Sequence, residues 1–191
     1  MIFIYKLSRQ TNALNILEIG CATGVSGMIL ADSIGKTLVQ NPESSGILTS
    51  IDPYQQTQWK SFGKHNIDNV ILPYKRHGIN LSHNLVEVTF DPALKQMIDN
   101  NIKYDMILID GAHNYKDVLY DIKHSNKLIK NGGIIVLDDV RHYDVAKALN
   151  KFLITCNKWK RIAINKTIKY NVSKINKYNN PTTMFAYQVI A

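Results

Sequence analysis

Five acidic residues, one histidine and two glycines carry the chemistry this sequence offers. Glu18, Asp52, Asp110 and the pair Asp138-Asp139 each sit at or near the end of a short apolar run, and His113 follows Asp110 by three. The segment 15–27, NILEIGCATGVSG, begins as an apolar strand, ends in Glu18-Ile19-Gly20, and turns through small residues into a helix. Gly20 and Gly24 enclose Cys21, Ala22 and Thr23. Glycine lets a backbone come close to a ligand, because no Cβ intervenes. A helix that starts there aims free N–H groups at the same ligand. The segment predicts a bound nucleotide-like cofactor. The acid Glu18 before the turn points to one with a cationic or amino-bearing end.

The spacing discriminates among nucleotides. A GxGxxG fingerprint needs glycine at position 22, where Ala22 stands, and the short-chain dehydrogenase pattern needs one at 26, where Ser26 stands. Asp52 ends the second apolar run, a position from which a carboxylate can accept hydrogen bonds from both ribose hydroxyls of an adenosine. The same acid before Pro53 could instead be a turn residue.

Asp110, Asp138 and Asp139 end two runs expected to be neighbouring strands, about 4.8 Å apart. Crowded carboxylates repel unless a proton or a cation lies between them. Oxygen donors suit Mg²⁺, Mn²⁺ or Ca²⁺ better than zinc. The alternative is that Asp138 or Asp139 caps the following segment. His113, with an ordinary pKa of about 6.5, can take a proton from a substrate hydroxyl near neutral pH; the alternative is a surface turn residue. Asp117 and Asp121, four apart near a helix start, read as serving the helix dipole.

The elements that must position these residues alternate between strand and helix. Strands are expected over 15–19, 47–52, 85–89, 104–109 and 134–137, with two last strands over 159–164 and 183–190. Helices are expected over 25–39, from 57 onward, over 91–100 with Pro92 in the first turn, over 115–129 and over 145–155. Asn131-Gly132-Gly133 reads as the cap that ends the helix before it, and 69–82 as helix end plus loop. This order implies an α/β Rossmann-like doubly wound sheet, mostly parallel with an antiparallel last strand and helices on both faces. Ligands of such sheets lie beyond the carboxyl ends of the strands, which is where the acids fall.

The 191 residues fit one domain over 1–191. No apolar run approaches the roughly 20 residues of a membrane span, so no membrane partner is expected. Two cysteines, one of them in the glycine turn, make no disulfide framework and fit a reducing, cytoplasmic compartment. The net charge of +8 is uneven: all 15 acidic residues lie at or before Asp144, and nine basic residues follow it, from Lys147 to Lys177. That basic third reads either as an electrostatic footprint for an anionic partner or as a solvated face.

Together these residues resemble the class I S-adenosylmethionine-dependent methyltransferases, and within them the family-24 type allied to the cation-dependent O-methyltransferases. LEIGCATGVSG resembles the first motif, IDPYQQTQW the second-strand stretch, and IDGAHNYKDVLYD with LIKNGGIIVLDD the fourth and fifth strand ends. The resemblance runs from about residue 14 to residue 155. It implies a cofactor held by Glu18 at the methionine amino group, by Gly20, Cys21, Ala22, Gly24 and Ser26 along the turn, and by Asp52, Pro53 and Tyr54 around the adenosine. Asp110 and His113 would complete that surface. It also implies a divalent cation, Mg²⁺ foremost, on Asp110, Asp138 and Asp139, with His113 in the place of a catalytic lysine and Asp110 in the catalytic group.

The implied activity is methyl transfer from S-adenosylmethionine to a hydroxyl of a small molecule. Two alternatives stand beside it. One is a methyltransferase that acts on nucleic acid or another anionic polymer through the basic third. The other is a non-catalytic cofactor-binding regulatory subunit. Only about 14 residues precede the first strand, and relatives carry a longer cap over the acceptor pocket. A homodimer that completes the pocket is compatible with this, and the sequence does not fix the oligomeric state.

Overall fold

The computed structural model describes residues 2–162 and 184–190. The elements run α1 (Ile2–Gln10), β1 (Asn15–Ile19), α2 (Val25–Gln40), β2 (Gly46–Ile51), α3 (Phe62–Arg76), β3 (Leu81–Val86) and α4 (Phe90–Asp99). They continue with β4 (Tyr104–Ile109), α5 (Tyr115–Leu128), β5 (Ile129–Leu137), α6 (Tyr143–Thr155), β6 (Trp159–Arg161) and β7 (Phe185–Val189). The seven strands form one sheet in the order β3-β2-β1-β4-β5-β7-β6. The first five are parallel, and β7 is antiparallel to both β5 and β6.

The strands are apolar along their whole length because both faces are covered. Ile16 and Leu48 point to one face with Met106 and Leu108, and pack against Ile4 of α1, Leu30 and Ile34 of α2 and Ile67 of α3. Leu17, Ile51, Ile107 and Ile109 point to the other, against Leu94 of α4, Val118 and Ile122 of α5 and Ala148 of α6. The period of two along each strand thus sorts the helices into two layers.

Four expectations are corrected. The first is α1, which the sequence reading did not anticipate. Ile4 and Leu7 face α2, the Ser8 and Ser33 hydroxyls meet at 2.6 Å, and Arg9 donates to Thr37 Oγ1 at 2.5 Å. The second is β3, which lies four residues earlier than expected, at the sheet edge. There its polar Ser82, His83 and Asn84 are tolerated because one side has no strand neighbour. The third is α3, which starts at Phe62 rather than 57, because Lys60 and Ser61 take positive φ (47° and 60°) and form a turn. The fourth is the end of α5. Gly132 and Gly133 do not cap it. The helix stops at Leu128, Ile129 is already extended, and the pairing slips between Tyr104↔Ile129 and Met106↔Ile134. Gly132, at φ 81°, lies inside the irregularity this creates in β5. Of the expected last strands, 159–164 and 183–190, residues 163–183 lie outside the described residues.

Candidate active site

The strand order reverses between β1 and β4, and a crevice opens beyond the carboxyl ends of those two strands. It holds a cavity of about 800 Å³. Of the candidate site residues, Gly20, Ala22, Asp52, Pro53, Tyr54 and Asp110 line it. Trp59, Phe90, Lys116, Tyr120 and Asp121 also line it, and none of them stands out in the sequence as a site residue.

The glycines of the turn serve a different contact from the one expected. A Cβ on Gly20, whose φ is 93°, would stand 2.2 Å from the Asp110 carbonyl oxygen. A Cβ on Gly24, at φ 82°, would stand 2.6 Å from the Gly63 carbonyl oxygen. Glycine here lets backbone meet backbone, β1 end against β4 end and turn against α3. The turn N–H groups are likewise engaged within the chain. Asp52 Oδ2 accepts the N–H of Ala22 at 2.7 Å and that of Cys21 at 3.3 Å, and Oδ1 accepts the N–H of Tyr54 at 2.9 Å. Gln55, fully buried, donates to the Ala22 carbonyl at 2.6 Å and to Asp52 Oδ2 at 3.2 Å. Asp52 is therefore a latch that fixes the turn, and only 4% of it is exposed.

Glu18 does not line the cavity; it is fully buried behind the turn. Ser26 donates to Oε1 at 2.5 Å and Ser50 to Oε2 at 2.7 Å. Burial outweighs these bonds and pushes its pKa up to about 7. Cys21, Gly24 and Ser26 also stand outside the cavity lining. Burial drives the Cys21 thiol well above its ordinary range, which removes thiolate reactivity.

Asp110, which lines the cavity, comes together with His113 and Asp139, which stand outside its lining; one donor atom from each lies within 4.8 Å of the others. His113 Nε2 stands 2.7 Å from Asp139 Oδ2. Asp139 takes φ 50°. Asp138, expected as a third carboxylate ligand, is not in this set; its Oδ1 accepts the N–H of Asp139 at 2.6 Å. The set the geometry assembles is two carboxylates and one imidazole, with Asp138 acting on Asp110 as the strongest of the neighbouring charges. Burial, then the charges of Asp138, Asp139 and Glu18, raise Asp110 to about 7. A cation between Asp110 and Asp139 would relieve that repulsion, and O,N,O donors fit Mg²⁺ or Mn²⁺.

Asp117 and Asp121 part company. Asn114 caps α5 by accepting the Asp117 N–H at 3.1 Å, and Asp117 stays at the exposed helix start. Asp121 is buried in the cavity wall, not at a helix end.

A parallel sheet with a switch-point crevice and a glycine turn after β1 defines a nucleotide-type α/β domain. A family model described as a methyltransferase domain, of the family-24 type, matches residues 17–140, and the chain belongs to that family. An uncharacterized protein, R132, of Acanthamoeba polyphaga mimivirus is 29% identical over 126 residues, covering 62% of this chain and 53% of that protein. The chain thus spans about half the length of this curated relative.

Among solved structures, the fold is similar to an O-methyltransferase from Bacillus cereus in complex with S-adenosylhomocysteine. The TM-score is 0.67 at 17% identity, over 99% of this chain and 79% of that one. It is also similar to the O-methyltransferase TomG from Streptomyces achromogenes in complex with S-adenosylmethionine. There the TM-score is 0.66 at 15% identity, over 99% and 78%. No helix among the described residues is long and apolar enough to cross a membrane.

Proposed function

We propose that this protein transfers a methyl group from S-adenosylmethionine to a hydroxyl of a small molecule, with a divalent cation at the Asp110–His113–Asp139 cluster. The observation that carries this reading is the convergence of those three side chains, one of which, Asp110, lines the same crevice as Asp52, Gly20 and Ala22. The Bacillus cereus and Streptomyces achromogenes neighbours bind the homocysteine product and the methionine donor. Their fold supports the same donor here.

The donor's ribose would meet Asp52, with Tyr54 and Pro53 beside it. Its sulfonium carries the reactivity, and the protein supplies in-line positioning. Asp110 and Asp139 would hold the cation, with His113 Nε2 as nitrogen ligand. When bound, the cation lowers the pKa of the acceptor hydroxyl. The cavity lining carries five aspartates (52, 91, 110, 117 and 121) against two lysines (95 and 116), and with Asp110 and Asp121 raised toward neutrality the other three still outnumber the lysines. Such a wall repels a polyanion and favours a neutral or cationic acceptor, which argues for a small molecule over nucleic acid. Of the nine basic residues after Asp144, Lys166, Lys169, Lys174 and Lys177 lie outside the described residues.

A second reading keeps the reaction and drops the cation. The 2.7 Å contact lets Asp139 orient the half-exposed His113 as a general base. One experiment separates the two: methyl transfer from labelled S-adenosylmethionine to a panel of phenols, catechols and sugars, with Mg²⁺ and with EDTA, for wild type and D110A. Loss on chelation and in D110A supports the cation. Cation-independent turnover that survives D110A but not H113A supports the base. No transfer to any acceptor, with S-adenosylhomocysteine bound, points to a regulatory subunit.

A further inference from the structure

Asp121 is a buried acid to which the reading above gives no ligand contact. It lies in the second turn of α5, past the reach of the helix N-terminus, which Asn114 already caps. Only 1% of it is exposed, yet it forms part of the cavity wall. Its Oδ2 has no hydrogen-bond partner among the described residues, and neither does Ser125 Oγ one turn further on. A buried carboxyl oxygen without a partner is costly unless a ligand completes it.

Its place in the fold says which part of a ligand that is. The neighbouring Tyr120 hydroxyl bonds Asp91 of α4, so this stretch of α5 faces α4, the helix that follows β3. In the order β3-β2-β1-β4-β5, α4 belongs to the half of the crevice that holds Asp52. The Asp110–His113–Asp139 cluster belongs to the β4–β5 half. A donor with its ribose at Asp52 and its methyl group toward Asp110 leaves its base on the α4 side. Phe90, the first residue of α4, lies against Gly111 there and offers an aromatic wall to a flat ring.

We propose that Asp121 reads the donor's adenine, pairing its carboxyl with the amidine edge formed by N1 and the 6-amino group; this rests on the donor assigned above. The pair needs one donor and one acceptor on the protein side, which a protonated carboxyl supplies: O–H to N1, and C=O from the amino group. Burial first, then the charge of Asp117, raise Asp121 to about 7, so the protonated form is available near neutral pH. An asparagine amide offers the same donor and acceptor; alanine offers neither.

The test is calorimetric binding of S-adenosylhomocysteine and of its 6-desamino analogue to the full chain. Wild type and D121N are expected to prefer the amino compound by roughly tenfold, and D121A to lose that preference. In difference infrared spectra, wild type should show a carboxylic-acid C=O band that shifts on binding and is absent from D121N. This second readout stands even where D121A does not fold. Equal affinity of wild type for both compounds, an unchanged preference in D121A, or no acid band sensitive to the ligand would each overturn the assignment. No binding of S-adenosylhomocysteine to wild type would overturn the donor reading itself, and this one with it.

Discussion

His113 Nε2 meets Asp139 Oδ2 at 2.7 Å, so the tips of β4 and β5 are joined by an acid–base contact at the rim of the crevice. Asp110 is the third member of that group. D139N keeps an oxygen but removes the charge that holds an imidazolium or a cation. Methyl transfer in D139N is expected to fall at least about a hundredfold. Mn²⁺ affinity, followed by electron paramagnetic resonance, is expected to fall about tenfold or more. An unchanged Mn²⁺ affinity together with a lost rate would assign the pair to proton transfer rather than metal binding.

Asp52 holds three backbone N–H groups and the Gln55 amide. D52A leaves those donors facing a buried gap. Its unfolding free energy in urea is expected to drop by about 1–3 kcal/mol, and S-adenosylhomocysteine binding should weaken with it. Q55A removes only the side-chain tie and should cost less stability than D52A. A D52A protein as stable as wild type would show that the latch is not what fixes the turn.

Glu18 gives the fold a pH dependence of definite sign. Its folded pKa, about 7, lies above its ordinary value of 4.5. Between those values the folded chain keeps a proton that the unfolded chain has lost, so stability is highest below about pH 4.5 and falls as pH rises toward 7. The limiting slope for one such group is about 1.4 kcal/mol per pH unit. E18Q keeps partners for Ser26 and Ser50 without titrating. Thermal melts from pH 4.5 to 8 are expected to show a shallower decline in E18Q than in wild type; parallel curves would assign the decline to other groups.

Gly20 and Gly132 both take positive φ, but only Gly20 is crowded. G20A would place a methyl group 2.2 Å from the Asp110 carbonyl, whereas a Cβ on Gly132 meets nothing within 4 Å. G132A should cost about 1–2 kcal/mol from its backbone alone. G20A should cost clearly more, up to failure to fold. Chemical denaturation of the two variants side by side checks the contrast.

The strands that anchor the site were legible in the sequence. β1 and β4 fall on the expected residues, because a strand covered on both faces has to be apolar throughout. β3 was not legible: an edge strand with the sequence LSHNLV carries polar residues that read as loop. The aspartates at the strand ends were found because a charge that ends an apolar run stands out. Which of them group with His113 was not, since Asp138 and Asp139 are adjacent in sequence and the contact of Asp139 with His113 arises only in the fold. Gln55 and Asp121 left no signal, because the burial of a polar side chain depends on the helix or turn packed against it.

A Cβ on Gly20 would stand only 2.2 Å from the Asp110 carbonyl oxygen, and this limits how the crevice can change. Its floor is two main chains in van der Waals contact, so no exchange of side chains there can widen or reshape it. What the crevice admits has to be tuned from the walls, among them Trp59, Lys116 and Tyr120. An engineer seeking an altered ligand preference should randomise those positions and leave the base of the cleft untouched.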